Sequence, residues 1–360
     1  MAAFFKGFGK AREQLGVDIG TSSLKMVELR RGKQLPALSS YALLENQSYL
    51  MRASGAVQSS GVKLSVPQLT EMLRLGRERG KFSARSAVAS VPPFVAFTAL
   101  VAMPQMQPRE LEAAIAFQAR QYIPVPIEEV SLQWLKVGDV GGGDASGQEL
   151  VMLSAVPLEY VSHCKEAFGA AGLTLASLEI ESLALVRGAV GPDQTPTMIV
   201  DIGAQSMSTI MVERGQLTYA EQADYGGGTV TQAIAGSLGL NPIRAEALKL
   251  ERGLDASGPG REFAAVALPA VDAMIGEIRK ATYTYESRFQ RKSPVERILL
   301  TGGGANLRGI EAQVSTMLQL PCAKAAPLYR IEYPSGLEPL FPELNPELAL
   351  AIGLAMPAVS

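Results

Sequence analysis

The sequence predicts an α/β protein of two related lobes with a smaller α+β unit set into the first. Three observations carry this. Val17-Asp18-Ile19-Gly20-Thr21-Ser22-Ser23-Leu24 recurs as Val200-Asp201-Ile202-Gly203-Ala204-Gln205-Ser206-Met207. The strands that follow end alike, at Glu28-Leu29-Arg30-Arg31-Gly32-Lys33-Gln34-Leu35 and at Glu213-Arg214-Gly215-Gln216-Leu217, and a repeat of this kind implies a duplicated lobe. The length of 360 residues suits two or three folding units of about 150 residues each.

The elements follow in order. Leu15 to Val17 starts a strand, the Asp18–Ser23 segment turns, and Leu24 to Leu29 forms a second strand before a turn at Arg31-Gly32-Lys33 and a run over 35–44. This is strand–turn–strand, which excludes the P-loop and the Rossmann fingerprint, both of which need a helix after the glycine turn. Val66–Gly80 reads as a helix, with Pro67 near its start and Arg74, Arg77 and Arg79 near its end, as the helix dipole favours. Residues 86–107 carry no charge, long enough to suggest a membrane span. Pro92-Pro93 interrupts it, so we read two buried strands around a Pro-Pro turn and no direct span. Residues 109–122 form an amphipathic helix with Leu111, Ala114, Ile115 and Gln118 on one face. Strands over 131–137 and 150–157 flank a loop of Gly, Asp and Ser at 138–147, and a helix over 159–171 closes at Gly172. Strand, helix, strand, strand, helix over 85–173 reads as a subdomain of its own.

Composition narrows the function. Hydrophobic residues at 47% and charged residues at 19% support a sizeable core and exclude disorder as the main state. Lys plus Arg is 33 against 35 for Asp plus Glu, a net charge of −2, which argues against a nucleic-acid surface and leaves small ligands and protein partners. The 2 cysteines, Cys164 and Cys322, fit a reduced cytoplasmic setting and build neither a disulfide framework nor a zinc site. The 1 histidine, His163, excludes a multi-histidine metal site and counts against a Ser-His-Asp triad. The amino terminus has no signal-peptide pattern; Phe4, Phe5 and Phe8 are expected in a frayed terminus, with weak surface contact to a membrane as the alternative.

The repeated turn carries the chemistry. Successive backbone N–H groups with Ser or Thr hydroxyls make a concave anion site, and the glycine lets a ligand approach closely. The preceding aspartate suits a hydrated Mg²⁺ that phosphates also bind. Two such turns facing each other would clamp a polyphosphate.

These motifs resemble the two phosphate motifs of the actin-like ATPase superfamily, which includes actin, the heat-shock chaperone ATPases, sugar kinases and the cell-division protein FtsA. Further segments match in order. Glu181-Ser182-Leu183-Ala184-Leu185 resembles the first connecting motif and Ala349-Leu350-Ala351-Ile352-Gly353-Leu354-Ala355 the second. Gly226-Gly227-Gly228 with Thr229 opens the insertion of the second lobe, Ala245-Glu246-Ala247-Leu248-Lys249 matches an A-E-x-x-K helix, and Leu299-Leu300-Thr301-Gly302-Gly303-Gly304-Ala305 resembles the adenosine motif. Gln121-Tyr122-Ile123-Pro124-Val125-Pro126, the long helix with Glu277-Ile278-Arg279, and Lys25 after the first turn point, within the superfamily, to the PilM family of type IV pilus assembly proteins. The chain departs from that pattern where an acidic residue is expected at Gln118 and an aspartate at Gln133 or Trp134.

The resemblance implies a bilobed, actin-like (ribonuclease H-like, duplicated) α/β fold with an FtsA-like extra α+β subdomain. The first lobe would comprise 1–84 and 174–196, the extra subdomain 85–173, the second lobe 197–345 with an inserted subdomain about 225–295, and the connecting helix 346–360. It implies ATP and Mg²⁺ as cofactors. The nucleotide residues would be Asp18, Gly20, Thr21, Ser22, Ser23, Lys25, Asp201, Gly203, Gln205, Ser206, Gly226, Gly227, Gly228, Glu246, Lys249, Gly302, Gly303, Gly304 and Asn306, with Asp18 and Asp201 near the metal. Glu181, or Glu179 two residues earlier, would position water if ATP is hydrolysed. The implied partners are the cytoplasmic N-terminal tail of PilN and other pilus-machine proteins, recruiting the chain to the inner membrane; self-association stays open. The alternatives are an FtsA-like ATPase, which usually ends in a basic amphipathic helix, and a sugar kinase, which needs a carboxylate base beside a sugar pocket.

Overall fold

The computed structural model describes residues 12–45, 64–139, 148–254, 261–289 and 293–359. The amino-terminal phenylalanines and residues 140–147 of the glycine-rich loop lie outside the described residues.

Strands β1 (Glu13–Ile19), β2 (Ser23–Arg30) and β3 (Ala37–Glu45) form an antiparallel meander in which Asp18 lies opposite Lys25. Helix α1 (Val66–Gly80) has the expected bounds. Ser65 caps it reciprocally: the Gln68 N–H donates to the Ser65 hydroxyl, and the Ser65 N–H donates to the Gln68 side chain. Strands β4 (Ser86–Val91) and β5 (Phe97–Pro104) flank the two prolines, as expected, but enter different sheets.

Only β4 is a buried strand; β5 leaves Thr98, Ala102 and Pro104 exposed. The Ser-Ala-Val-Ala-Ser-Val run of β4 lacks alternation because a central parallel strand is covered on both faces. Helix α2 (Pro108–Tyr122) and strands β6 (Val130–Asp139) and β7 (Gln148–Pro157) complete a three-stranded antiparallel sheet in the order β5-β7-β6. Helix α3 (Leu158–Ala170) and strand β8 (Thr174–Ile180) then return to the first lobe. α3 packs Tyr160, Cys164, Ala167 and Phe168 against Leu69 and Leu73 of α1, and β8 pairs in parallel with β4. The expectation that 85–173 forms one unit is therefore corrected. β4 and α3 belong to the first lobe, and the insertion reduces to β5, α2, β6 and β7.

Helix α4 (Glu181–Leu185), continued by a π-helical turn over Val186–Val190, leads to the second lobe. There β9 (Thr197–Ile202), β10 (Met207–Glu213) and β11 (Gln216–Ala223) repeat the meander, and β12 (Arg297–Thr301) and β13 (Cys322–Lys324) add parallel strands. The order β11-β10-β9-β12-β13 reproduces β3-β2-β1-β4-β8 of the first lobe. The duplication read from two turns thus extends to the whole sheet. Helices α5 (Gly227–Leu238), α6 (Pro242–Arg252) and α7 (Arg261–Phe289) are inserted between β11 and β12, α8 (Ile310–Leu318) lies between β12 and β13, and α9 (Phe341–Val359) ends the described chain.

The lobes are joined where α4 and its π-turn cross α9 at backbone contact. A Cβ on Gly188 would stand 2.1 Å from the Ala349 carbonyl oxygen, and one on Gly353 would stand 1.9 Å from that of Ala184. The Arg187 guanidinium pairs with both Glu179 oxygens at 2.7 and 2.6 Å and also donates to the Gly353 carbonyl. This fork ties the end of β8 to α9.

The inserted sheet carries apolar contacts on both faces. Val101, Met103, Val151 and Leu153 pack on Leu111, Ile115 and Ala119 of α2, with Trp134 against the same cluster. Val137, Leu150 and Met152 pack on Ile199, Ile210, Val212 and Leu217 of the second lobe.

Overpacking a tight contact costs about 1–3 kcal/mol. Gly353→Ala is accordingly expected to lose about 2 kcal/mol in a chemical denaturation curve. Gly236→Ala on α5, where a Cβ meets nothing within 4 Å, is expected to gain about 0.5 kcal/mol through helix propensity.

Candidate functional site

The two repeated turns adopt one geometry. The Gly20 N–H donates to the Ser23 carbonyl at 3.0 Å and the Gly203 N–H to that of Ser206 at 2.9 Å. They face each other across a cavity of about 350 Å³ between the lobes, within the range of small-ligand sites. Gly20, Thr21, Ser22 and Ser23 line it from one side; Gly203 and Ser206 line it from the other. Gln205 does not line it.

Charge gathers between the turns. The Lys25 ammonium donates to Asp18 Oδ2 at 3.0 Å, and both side chains are nearly buried. Burial alone would lower the Lys25 pKa; Asp18, then Asp201 and Glu347, outweigh it and hold the lysine above its ordinary range. Asp201 Oδ1 accepts from the Thr301 hydroxyl at 2.8 Å. Burial pushes Asp201 up, with Lys25 and Thr301 opposing. Glu181, at the start of α4, also lines the cavity. Burial first, and then the charges of Asp18 and Asp201, push its carboxyl well above the usual range. Glu179, the other candidate for positioning water, points away into its Arg187 fork and is not a cavity residue.

Around this core, α5 starts on the second turn. The Gly227 N–H donates to the Gly203 carbonyl and the Gly228 N–H to that of Ala204, which fastens the helix N-terminus to that turn and brings the positive end of its dipole beside the cavity. Gly227 and Gly228 line it, whereas Gly226 packs beneath, where a Cβ would meet the Ala204 carbonyl oxygen at 2.6 Å. At the end of β12, Gly302 has φ 79° and a Cβ there would stand 2.5 Å from the Ile202 carbonyl oxygen, which reserves the position for glycine. Gly303 and Gly304 continue this wall.

Glu246 and Lys249 also line the cavity, paired at 2.8 Å as their i, i+3 spacing allows. The lysine is buried, and its ammonium also donates to the Gly227 carbonyl at 3.0 Å and to the Thr231 hydroxyl at 2.9 Å. Burial lowers its pKa, against the Glu246 charge. Its donors are engaged within the protein, which makes Lys249 the support of Glu246.

Asn306 does not line the cavity. Its amide donates to the Glu343 carbonyl and to Glu347, and its oxygen accepts from Lys324, pinning α9 to the glycine wall. Lys324 also donates to the Pro342 carbonyl at 3.0 Å, the acceptor that Pro346, without an N–H, leaves open in the helix. Glu347, which follows that proline, lines the cavity and was not foreseen. The signal was its place two residues before the small-residue run of the second connecting motif. The apolar end, with Met274, Leu250, Leu307 and Ile310, was likewise not foreseen, because those residues lie on three separate helices and the link before α8.

The sequence model of one family, described as Type IV pilus assembly protein PilM, matches residues 16–359. The chain belongs to the PilM family. Among solved structures, a PilM-PilN type IV pilus biogenesis complex is similar to this PilM-family chain at 24% identity, covering 98% of this chain and 100% of that one with a TM-score of 0.81. The ethanolamine utilization protein EutJ from Carboxydothermus hydrogenoformans (17% identity, 96% and 90% covered, TM-score 0.54) and MreB5 of Spiroplasma citri bound to AMPPNP (13%, 96% and 95%, 0.54) share the fold. The bilobed actin-like architecture is thus established for this PilM-family member. Among the described residues no helix is long and apolar enough to cross a membrane, and no three His, Cys, Asp or Glu side chains converge to cage a metal.

A carboxyl whose folded pKa is raised adds stability below its unfolded value and loses it as pH rises through the folded one. Glu181, raised well above 4.5, therefore weighs against the nucleotide-free fold at neutral and alkaline pH. Glu181→Gln is expected to raise the melting midpoint at pH 8, with the difference closing below pH 4.5. Paired thermal melts at the two ends of that range check it.

Proposed function

We propose that this chain is an ATP-binding adaptor of the type IV pilus assembly machine, closing on Mg-ATP between its lobes and holding the cytoplasmic N-terminal tail of PilN. The observation that carries the nucleotide half is the pair of equivalent turns facing each other across one cavity, with a helix N-terminus and a glycine wall beside them. Phosphates would lie between Gly20–Ser23 and Gly203–Ser206, the ribose against Glu246, and the base between the Gly302–Gly304 wall and the apolar end. The carboxylates of Asp18 and Asp201 form an all-oxygen donor set that fits a hydrated Mg²⁺. When bound, Mg²⁺ would neutralise the phosphate charge. Glu181 is the carboxylate we assign to orient water if the nucleotide is hydrolysed.

The partner half rests on family membership and on the likeness to a structure solved with PilN. Short tails of this kind bind by a few anchors in pockets and by backbone pairing at an edge. The inserted subdomain offers the apolar surface: Phe117 and Tyr122 are exposed on α2. Where it meets the first lobe, Leu64, Leu69, Phe94, Val95 and Tyr160 line a small recess. Through this contact the chain would reach the inner membrane from the cytoplasm. The family match argues against the FtsA-like and sugar-kinase alternatives.

Three measurements test the reading. Asp18→Ala is expected to weaken Mg-ATP binding at least tenfold in a calorimetric titration while the chain stays folded. Millimolar Mg-ATP is expected to raise the wild-type melting midpoint, since a ligand selective for the folded form stabilises it; a midpoint that does not move would reject the nucleotide site. For the partner, Phe117→Glu or Ala114→Glu is expected to weaken PilN-tail peptide binding about tenfold with Mg-ATP binding retained. Unchanged peptide affinity in a folded variant would move the groove away from α2.

A further inference from the structure

The two lobes are equivalent in topology but not in charge. In the first meander Asp18 lies opposite Lys25; at the matching register of the second, Asp201 lies opposite Ser208. Asp201 takes its hydrogen bond from a neutral hydroxyl, that of Thr301. Asp18 takes its own from a cation, with Lys25 Nζ 3.0 Å away and only 12% of the side chain exposed. Lys25 also sits in the field of Asp201, from the other lobe, and of Glu347, from the connecting helix α9. One ammonium therefore answers carboxylates from both lobes and their connection, in the cavity that Asp18, Asp201 and Glu347 all line.

We infer that Lys25 is a resident counter-cation that keeps a free divalent ion out of the cleft until a nucleotide brings one in. The inference rests on the Mg-nucleotide reading above. An ammonium and a divalent ion compete for the same carboxylate oxygens, and the added positive charge disfavours a second cation nearby. Phosphates change the balance. They give Lys25 another anion to face, free Asp18 Oδ2 for a hydrated ion, and carry that ion with them. Metal and nucleotide then enter together, and the second lobe needs no such lysine because both aspartates address one ion.

The test is Mn²⁺ binding to the full chain, read by the loss of the free-ion signal in electron paramagnetic resonance, with and without ATP. Wild type is expected to bind free Mn²⁺ at least tenfold more weakly than Mn-ATP. Lys25→Met is expected to bind free Mn²⁺ at least tenfold more tightly than wild type and Mn-ATP more weakly. Adding Asp18→Asn to that variant is expected to abolish the gain. If Lys25→Met does not fold, Lys25→Gln, which keeps a donor for Asp18, takes its place with the same expected gain. A folded Lys25 variant with wild-type affinity for free Mn²⁺ overturns the inference, as does wild type binding free Mn²⁺ as tightly as Mn-ATP. Failure of wild type to bind Mn-ATP would instead count against the nucleotide reading.

Discussion

Everything in the cleft depends on two helices that touch backbone to backbone. Where α4 and its π-turn cross α9, Gly188 and Gly353 leave no room for a Cβ. The first strand joins the same stack: a Cβ on Gly16 of β1 would lie 2.0 Å from the Ala351 carbonyl oxygen. This contact sets the separation of the two sheets, and hence the distance between the turns at their ends. A wider crossing would leave two half-sites too far apart to hold one ligand.

Within that frame the charges are balanced unevenly. Glu181, Asp18, Asp201 and Glu347 line the cavity with Lys25 and Lys249, yet Lys249 is committed to Thr231, Glu246 and the start of α5. Lys25 is left as the main cation facing the carboxylates, and burial together with the charges of Asp18 and Asp201 pushes the Glu181 carboxyl up. Buried carboxylates without full pairing are costly in a resting fold. Their presence in a cleft, with a helix N-terminus opposite, is what a site built for a charged ligand requires.

Much of this was legible in the sequence. The repeated Asp-Ile-Gly turns, the glycine runs at Gly226 and Gly302, and the Glu246–Lys249 spacing each state a local backbone need, and a local need is written in adjacent residues. Asn306 and Gly226 lay close to the site in sequence but serve its scaffold, because contact with a ligand depends on which way a turn faces. The apolar end, brought together by separate segments, left no mark in any one of them, and Glu347 was marked only by its place before the second connecting motif. The boundary of the insertion was misread for a similar reason. The Pro92-Pro93 turn announced two strands, but their sheet partners, β1 for one and β7 for the other, lie far along the chain. The lack of alternation in the Ser-Ala-Val-Ala-Ser-Val run of β4 was the available clue.

The inserted sheet has a mechanical consequence. It is tethered to the first lobe by covalent links at both ends, residues 92–96 and the β7–α3 junction, and it is glued to the second lobe through Leu150, Met152 and Val137. The two lobes and the insertion thus form a closed ring of three bodies rather than an open hinge. In such a ring no joint moves alone. A rotation at the helix crossing must be taken up either by shear of the apolar face on β10 and β11 or by flexing of the segment at Pro92-Pro93, which borders the cavity and the small recess at once.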